Sequence, residues 1–403
     1  MRVLMLSWEY PPLVVGGIAA HVDGLARAMV RAGHDVVVLS LRTPEAPDDT
    51  VTEGVRIVRA NVDLPWLPDD NLVAQMASAN HQLTQLIAHL GDWRPDIVHA
   101  HDWLVAWAGD TIAKIWNAPM VATVHATERG RHGGHVPFGM PAAINSMEWW
   151  LTYQAQQVIC CSKFMVREVV DGFELPTEKV HLVPNGVDLG IWDAADTAPP
   201  PSFSAHSMRA VPATADQVTD GPLVVAWGRV QYEKGFQVLT RAIGALRTRV
   251  PGIRCVIAGR GSYLAELQSQ IDIEGVSDLV HLAGFVPDDQ LRALLHSASC
   301  AVIPSLYEPF GIVALEAMAA GAPTIVADTG GLAEIVKGTG AGLLFEPGDF
   351  EDLADRIADV LGDQVLARSL QTTATSILAG FYTWDAIAKS TLSVYTSALS
   401  GHA

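Results

Sequence analysis

Short runs of branched apolar residues recur along this chain. Between them lie stretches in which apolar positions fall every three to four residues. Val3–Leu6, Val36–Leu39, Ile97–His99, Met120–Val124, Val158–Cys161 and Val180–Val183 have the length and apolar content of buried parallel strands. Between the first two, Ala19–Ala32 has helical apolar spacing and stops at Gly33. Residues 193–222 break the pattern: they are rich in Pro, Ala, Ser, Thr and Asp, and predict a linker or long surface loop. The alternation then restarts, with strands predicted at Leu223–Trp227, Arg254–Ala258, Val280–Leu282, Ala301–Ile303 and Thr324–Val326. From Thr383 to Leu399 the spacing of Trp384, Ile387, Leu392 and Tyr395 predicts an amphipathic helix. No period of 20–50 residues marks a solenoid.

This alternation predicts an α/β chain of two doubly wound, Rossmann-like domains in series with a cleft between them. The domains are placed at 1–192 and 223–382, joined by 193–222, with the helix at 383–403 following them. At 403 residues such a chain can bury a sizeable core.

The stretch from Tyr307 to Pro323 carries the most chemistry. Pro309 and Gly311 keep its first part out of helix. From Ile312 the spacing is helical until Gly321 and Pro323 end it. Glu308 therefore falls on a loop and Glu316 one turn inside a helix, on a face shared with apolar Ile312 and Val313. A Glu in that company is not an ordinary solvated one. The free amides around Gly311 make a helix N-terminus, which favours phosphate. An anion site with a carboxylate on each side suits a ligand bearing both phosphate and hydroxyls, such as a nucleotide sugar.

Composition narrows the classes. Lys and Arg number 26 against 44 Asp and Glu, a formal charge of −18, spread evenly over both halves. Such acidity argues against general nucleic-acid binding. Cys160, Cys161, Cys255 and Cys300 form no CxxC pair and are expected as reduced, buried thiols. The N-terminal apolar run is too short for a signal peptide, and no run approaches the roughly 18 residues of a membrane span. A cytoplasmic location is expected.

Other motifs are weaker alone. Gly16-Gly17 sits between the first strand and first helix, where backbone can approach a ligand. Arg229 and Lys234 follow the strand ending at Trp227, and could clamp a diphosphate by fork and point charge; a solvated loop has about equal weight. Gly259 lies in a GxG turn that fits close approach to a nucleotide nearly as well as a plain turn. Asn185-Gly186-Val187-Asp188 is a turn signal. His99-Ala-His101-Asp102 could form a metal half-site, but nothing completes it, and hydrogen-bonded neutral histidines account for it better. His125 ends a strand at the edge where open sheets bind ligands. The loop after it holds Arg129, Arg131 and His132 and is a candidate acceptor loop or lid. No P-loop, GxSxG elbow or kinase motif set is present.

Taken together, Trp8-Glu9-Tyr10-Pro11-Pro12, Gly16-Gly17, His99-Ala-His101-Asp102-Trp103, Asn185-Gly-Val-Asp188, Gly228-Arg229, Glu233-Lys234-Gly235 and Glu308 through Pro323 resemble the retaining family-four glycosyltransferases of the GT-B fold. Within them the chain is most similar to actinobacterial, mycobacteria-like α-1,4-glucosyltransferases of glucan or methylglucose polysaccharide synthesis and to glycogen synthases. Val14 and Val15 stand where glycogen synthases carry a Lys before the Gly-Gly pair. The resemblance implies that Arg229 and Lys234 hold the donor diphosphate, Glu316 the ribose and Glu308 the sugar hydroxyls. It places Gly16, Gly17, Gly259 and the Pro309-Phe310-Gly311-Ile312 backbone around the donor, and His125 beside the transferred sugar. His101, Asp102, Arg129, Arg131 and His132 would face the acceptor, and the terminal helix would cross back onto the first domain. The expected donor is UDP-glucose or ADP-glucose, the acceptor an α-glucan, the new bond α-1,4, with no obligatory cofactor or metal. A nucleotide-sugar 2-epimerase and a lipid-directed mannosyltransferase are the rival readings.

Overall fold

The computed structural model describes residues 1–61, 71–193 and 221–402. Nearly all of the predicted linker at 193–222 lies outside them. The chain divides into two units: Met1–Gly186 with Trp384–Ala403, and Val187–Thr383.

The first unit is built on eight strands: β1 (Arg2–Ser7), β2 (Asp35–Leu41), β3 (Asp49–Thr52), β4 (Val55–Ala60), β5 (Ile97–His101), β6 (Met120–Val124), β7 (Gln157–Cys160) and β8 (Val180–Leu182). Their order is β3-β4-β2-β1-β5-β6-β7-β8, parallel throughout except for the antiparallel β3–β4 pair. Val3 of β1 pairs with Val36 on one side and Ile97 on the other. Helices cover the sheet, and Val22, Leu25, Ala26 and Met29 of the helix Gly17–Arg31 are buried against it. The helix Trp384–His402 belongs to this unit and buries Trp384, Ile387, Val394, Tyr395 and Ala398 in the same core.

The second unit carries β9 (Leu223–Trp227), β10 (Arg254–Ala258), β11 (Val280–Gly284), β12 (Cys300–Ile303), β13 (Thr324–Ala327) and β14 (Leu343–Phe345). Their order is β11-β10-β9-β12-β13-β14, all parallel. Numbered within the sheet this is 3-2-1-4-5-6, the dinucleotide-fold winding.

The described residues shift one boundary. The sequence reading ends the first domain at 192, but residues 187–193 fall in the second unit. Val187 donates its N–H to the Tyr382 carbonyl at 2.8 Å, and Trp192 packs against the apolar cluster containing Ala317 and Leu294. All four cysteines are buried, and none forms a disulfide among the described residues. No helix among the described residues is long and apolar enough to cross a membrane.

Candidate active site

The winding of the second sheet reverses between β9 and β12, so the loops leaving these adjacent strands flank a switch point. The loop after β9 carries Arg229 and Lys234, and the loop after β12 carries Ser305 and Glu308. Leu306 N–H donates to the Glu233 carbonyl at 2.8 Å and joins the two. Lys234 Nζ lies 2.8 Å from Glu308 Oε2, and Ser305 Oγ donates to the same oxygen at 3.2 Å. Glu308 is 8% exposed. Arg229 is exposed and has no ion-pair partner among the described residues.

Gly311, with φ of +99°, starts the helix Ile312–Ala319. The first amides of that helix lack intrahelical acceptors, as the sequence implied. The Glu308 carbonyl accepts from Gly331 N–H at 3.0 Å, which fixes the loop against the next helix. Glu316 is half-buried, and its Oε2 accepts from Trp227 Nε1 at 3.3 Å. Burial pushes its carboxyl up to about 7, and the indole hydrogen bond only partly restrains the rise.

Gly259 has an explanation of its own. Its φ is +145°, and a Cβ there would lie 1.8 Å from the Gly228 carbonyl oxygen. The glycine is therefore required for the loops after β9 and β10 to lie backbone to backbone, with Gly228 N–H donating to the Ala258 carbonyl at 3.0 Å.

In the first unit the winding reverses at β1, between β2 and β5. The loop after β1 ends in Gly16-Gly17. Glu9 Oε2 accepts from the N–H groups of Val15 and of Gly16, the latter at 2.8 Å. The amide of Gly16 is thus engaged by the chain's own carboxylate, which a reading of the Gly-Gly pair alone does not show.

Asp102, after β5, is 6% exposed and has φ of +68°, a region that costs a non-glycine residue about 1–3 kcal/mol. Burial pushes its carboxyl up to about 7, against the opposing charge of Arg131 and the backbone amides of Trp103 and His125. Arg129 Nε folds back to the Gly134 carbonyl at 3.1 Å, and His132 Nε2 lies 3.2 Å from Glu128 Oε1. Arg131 also leans towards Glu128, at 3.9 Å. The N–H of Glu128 is held by both oxygens of Glu148, at 2.9 and 3.1 Å.

The histidines group differently from the sequence pairing. His99 has both ring nitrogens satisfied, Nδ1 by Tyr395 Oη and Nε2 by Thr123 Oγ1, each at 2.7 Å. It is therefore no half-site partner of His101. His101 Nδ1 instead lies 3.3 Å from His125 Nε2, with His21 packed edge-on to His125 at a centroid distance of 4.8 Å. Burial lowers His21 to about 4 and His101 and His125 well below the ordinary imidazole value.

Residue-by-residue reading passed over Trp227, Ser305, Glu9 and His21. His21 had a usable signal: it precedes Leu25 by four positions and so shares the buried face of its helix. Trp227 acts on Glu316, far from it along the chain, whereas Ser305 and Glu9 act within their own loops.

Two parallel-sheet bodies of this winding, with charged and glycine-bearing loops at both switch points, define a GT-B glycosyltransferase. Residues 212–376 match the family described as Glycosyl transferases group 1, and residues 15–190 match Glycosyltransferase Family 4. The chain is 37% identical to the glycogen synthase of Mycobacterium tuberculosis over its whole length and 96% of that protein. It belongs to this glycosyltransferase family and is an enzyme acting on sugar-nucleotide donors. Its fold is shared with sucrose-phosphate synthase from Thermosynechococcus elongatus, with a TM-score of 0.79, 23% identity and 99% of each chain covered. It is shared also with the catalytic domain of starch synthase IV from Arabidopsis thaliana bound to ADP and acarbose, with a TM-score of 0.75, 18% identity and 99% of each chain covered.

Proposed function

We propose that the enzyme transfers glucose, with retention, from UDP-glucose or ADP-glucose to the end of an α-glucan and forms an α-1,4 link. The observation that carries this reading is the Lys234–Glu308 pair at the switch point, beside exposed Arg229. The relatives that match the whole chain include a glycogen synthase, and one structural neighbour holds ADP and a sugar ligand.

In this reading Arg229, Lys234 and the helix start at Gly311 hold the donor diphosphate, with Pro309, Phe310 and Ile312 against it. Glu308 accepts from the sugar hydroxyls and Glu316 from the ribose. Gly17 approaches the donor, and His125 lies beside the transferred glucose. His101, Asp102, Arg129, Arg131 and His132 serve the acceptor. The acceptor hydroxyl oxygen bonds to the anomeric carbon as the bond from that carbon to the phosphate oxygen breaks. The hydroxyl proton passes to the departing diphosphate on the same face. Negative charge grows on the diphosphate, where the two cations and the helix start stabilise it. These groups supply the counter-charge, so a divalent metal is not required.

Incubation with UDP-glucose and ADP-glucose separately, each with a short α-1,4-glucan and EDTA, tests the reading by acceptor mass. Growth by one hexose supports it and names the base. Nucleotide release without growth would mark epimerase-like chemistry. Inertness to both donors would overturn the glucan assignment in favour of another sugar or a lipid acceptor.

The Glu316 carboxyl gives a pH prediction. Only its ionised form accepts from two ribose hydroxyls, so donor affinity should rise roughly tenfold between pH 6 and pH 8. Glu316→Gln should weaken donor binding at pH 8 and flatten this profile. Stability moves the opposite way. A carboxyl raised above its unfolded value stabilises the fold at low pH, and that contribution is lost as pH rises from the ordinary carboxyl range through about 7. The substitution should therefore raise the melting temperature at pH 8, by up to roughly 3 kcal/mol in free energy. Donor titrations and thermal melts at both pH values check this; an unchanged pH profile in the variant would remove Glu316 from the donor site.

A further inference from the structure

We propose that His21, His101 and His125 form a three-imidazole site for a divalent transition metal of the zinc type. One ring nitrogen from each lies within 4.8 Å of the other two. The 3.3 Å between His101 Nδ1 and His125 Nε2 is about the separation of two ligands held near 2.0–2.1 Å on one tetrahedral ion. A hydrogen bond accounts for that pair but not for His21. His21 is 2% exposed, and neither of its ring nitrogens meets hydrogen-bond geometry with a partner. Asn185 lies near enough to act on the ring, yet its Oδ1 too falls outside hydrogen-bond geometry. A neutral imidazole carries one donor and one acceptor, so His21 buries both unmet, which folded proteins seldom do without a ligand or role for them.

The surroundings suit such an ion. His99 is unavailable, since Tyr395 and Thr123 take both its nitrogens, and it lies tilted against His101 at a centroid distance of 4.0 Å, bracing that ring. Trp384 closes the far side of His21 at a centroid distance of 5.6 Å. Burial keeps the three rings neutral, the form that ligates metal. His125 is half-buried while the other two are buried, so the open fourth position lies on its side. Three imidazoles and no carboxylate select zinc, cobalt, nickel or copper over magnesium. An ion held there would engage the ring of His125, so under the proposed reaction it inhibits rather than assists.

Cobalt(II) titration of the chelator-stripped, desalted full chain tests the site independently of activity. The expected result is one tetrahedral Co²⁺ per chain, with its intense visible bands, displaced by Zn²⁺. His21→Asn and His125→Asn should each weaken Co²⁺ binding at least tenfold, while exposed His89→Ala leaves it unchanged. His125→Asn serves if the buried His21 variant does not fold. Absence of the tetrahedral spectrum at saturating Co²⁺, or its survival in His125→Asn, would overturn the proposal.

Discussion

Lys234→Ala should lower kcat/KM by at least about 100-fold, the scale of removing one charge partner from a transition state. Most of the loss should appear in kcat, because the diphosphate gains charge as the bond to glucose breaks, and only an interaction that strengthens then alters the chemical step. The folded protein should survive. Lys234 and Glu308 are partly screened, with side chains 20% and 11% exposed, and Ser305 still donates to Glu308 after the lysine is gone. Thermal melts run beside the kinetics separate lost charge from lost fold. Lys234→Arg keeps the charge but not the compact ammonium that fits between Glu308 and a phosphate, so partial activity is expected. Activity of the alanine variant within threefold of wild type would end the diphosphate role.

The sites differ in how legible they are. The switch-point loops of the second unit could be placed from sequence because glycine and proline punctuate them: Gly228, Gly235, Pro309 and Gly311 interrupt runs of otherwise regular spacing. The helix that follows runs Ile312–Ala319, with Glu316 half-buried alongside Ile312 and Val313. The strands that escaped notice are those that are short or whose apolar run is broken. β3 (Asp49–Thr52) is a short, mostly exposed edge strand, and β14 (Leu343–Phe345) has only three residues. β4 (Val55–Ala60) has its apolar run broken by Arg56 and Arg59, whose charges are met elsewhere: Arg56 by Asp49, and Arg59 by the Pro47 and Pro11 carbonyls. Partners made by tertiary approach left no local trace. Nothing around Glu316 names Trp227 as its donor, and nothing around Gly16 says that Glu9 already occupies its amide. Asp102 is the extreme case, since its left-handed backbone arises from the β5 turn rather than from any glycine-like residue.

The second large effect lies in stability and concerns Trp384, the first residue of the terminal helix. Its indole fills the space beside two glycines: a Cβ on Gly24 would lie 2.2 Å from the ring, and one on Gly186 2.6 Å. The helix Gly17–Arg31 and the backbone at Gly186 can both close on the indole only because they lack side chains there. Trp384 also stands edge-on to His21, and further along the same helix Tyr395 bonds His99. The terminal helix is thus a working part of the first unit, although most of that unit precedes it by some two hundred residues. Trp384→Ala leaves a ring-sized cavity that three elements border, and should cost about 3–5 kcal/mol. Gly24→Ala tests the same contact from the other side, by overfilling it, at about 1–3 kcal/mol. Urea unfolding followed by circular dichroism should show an early transition in both variants, assignable to the first unit, with the second unit's transition unmoved. Trp384→Phe should recover part of the loss, because a smaller ring still occupies the gap between Gly24 and Gly186. A loss below about 1 kcal/mol in Trp384→Ala would mean that the first unit closes without the indole, and that His21 and His99 keep their places without it.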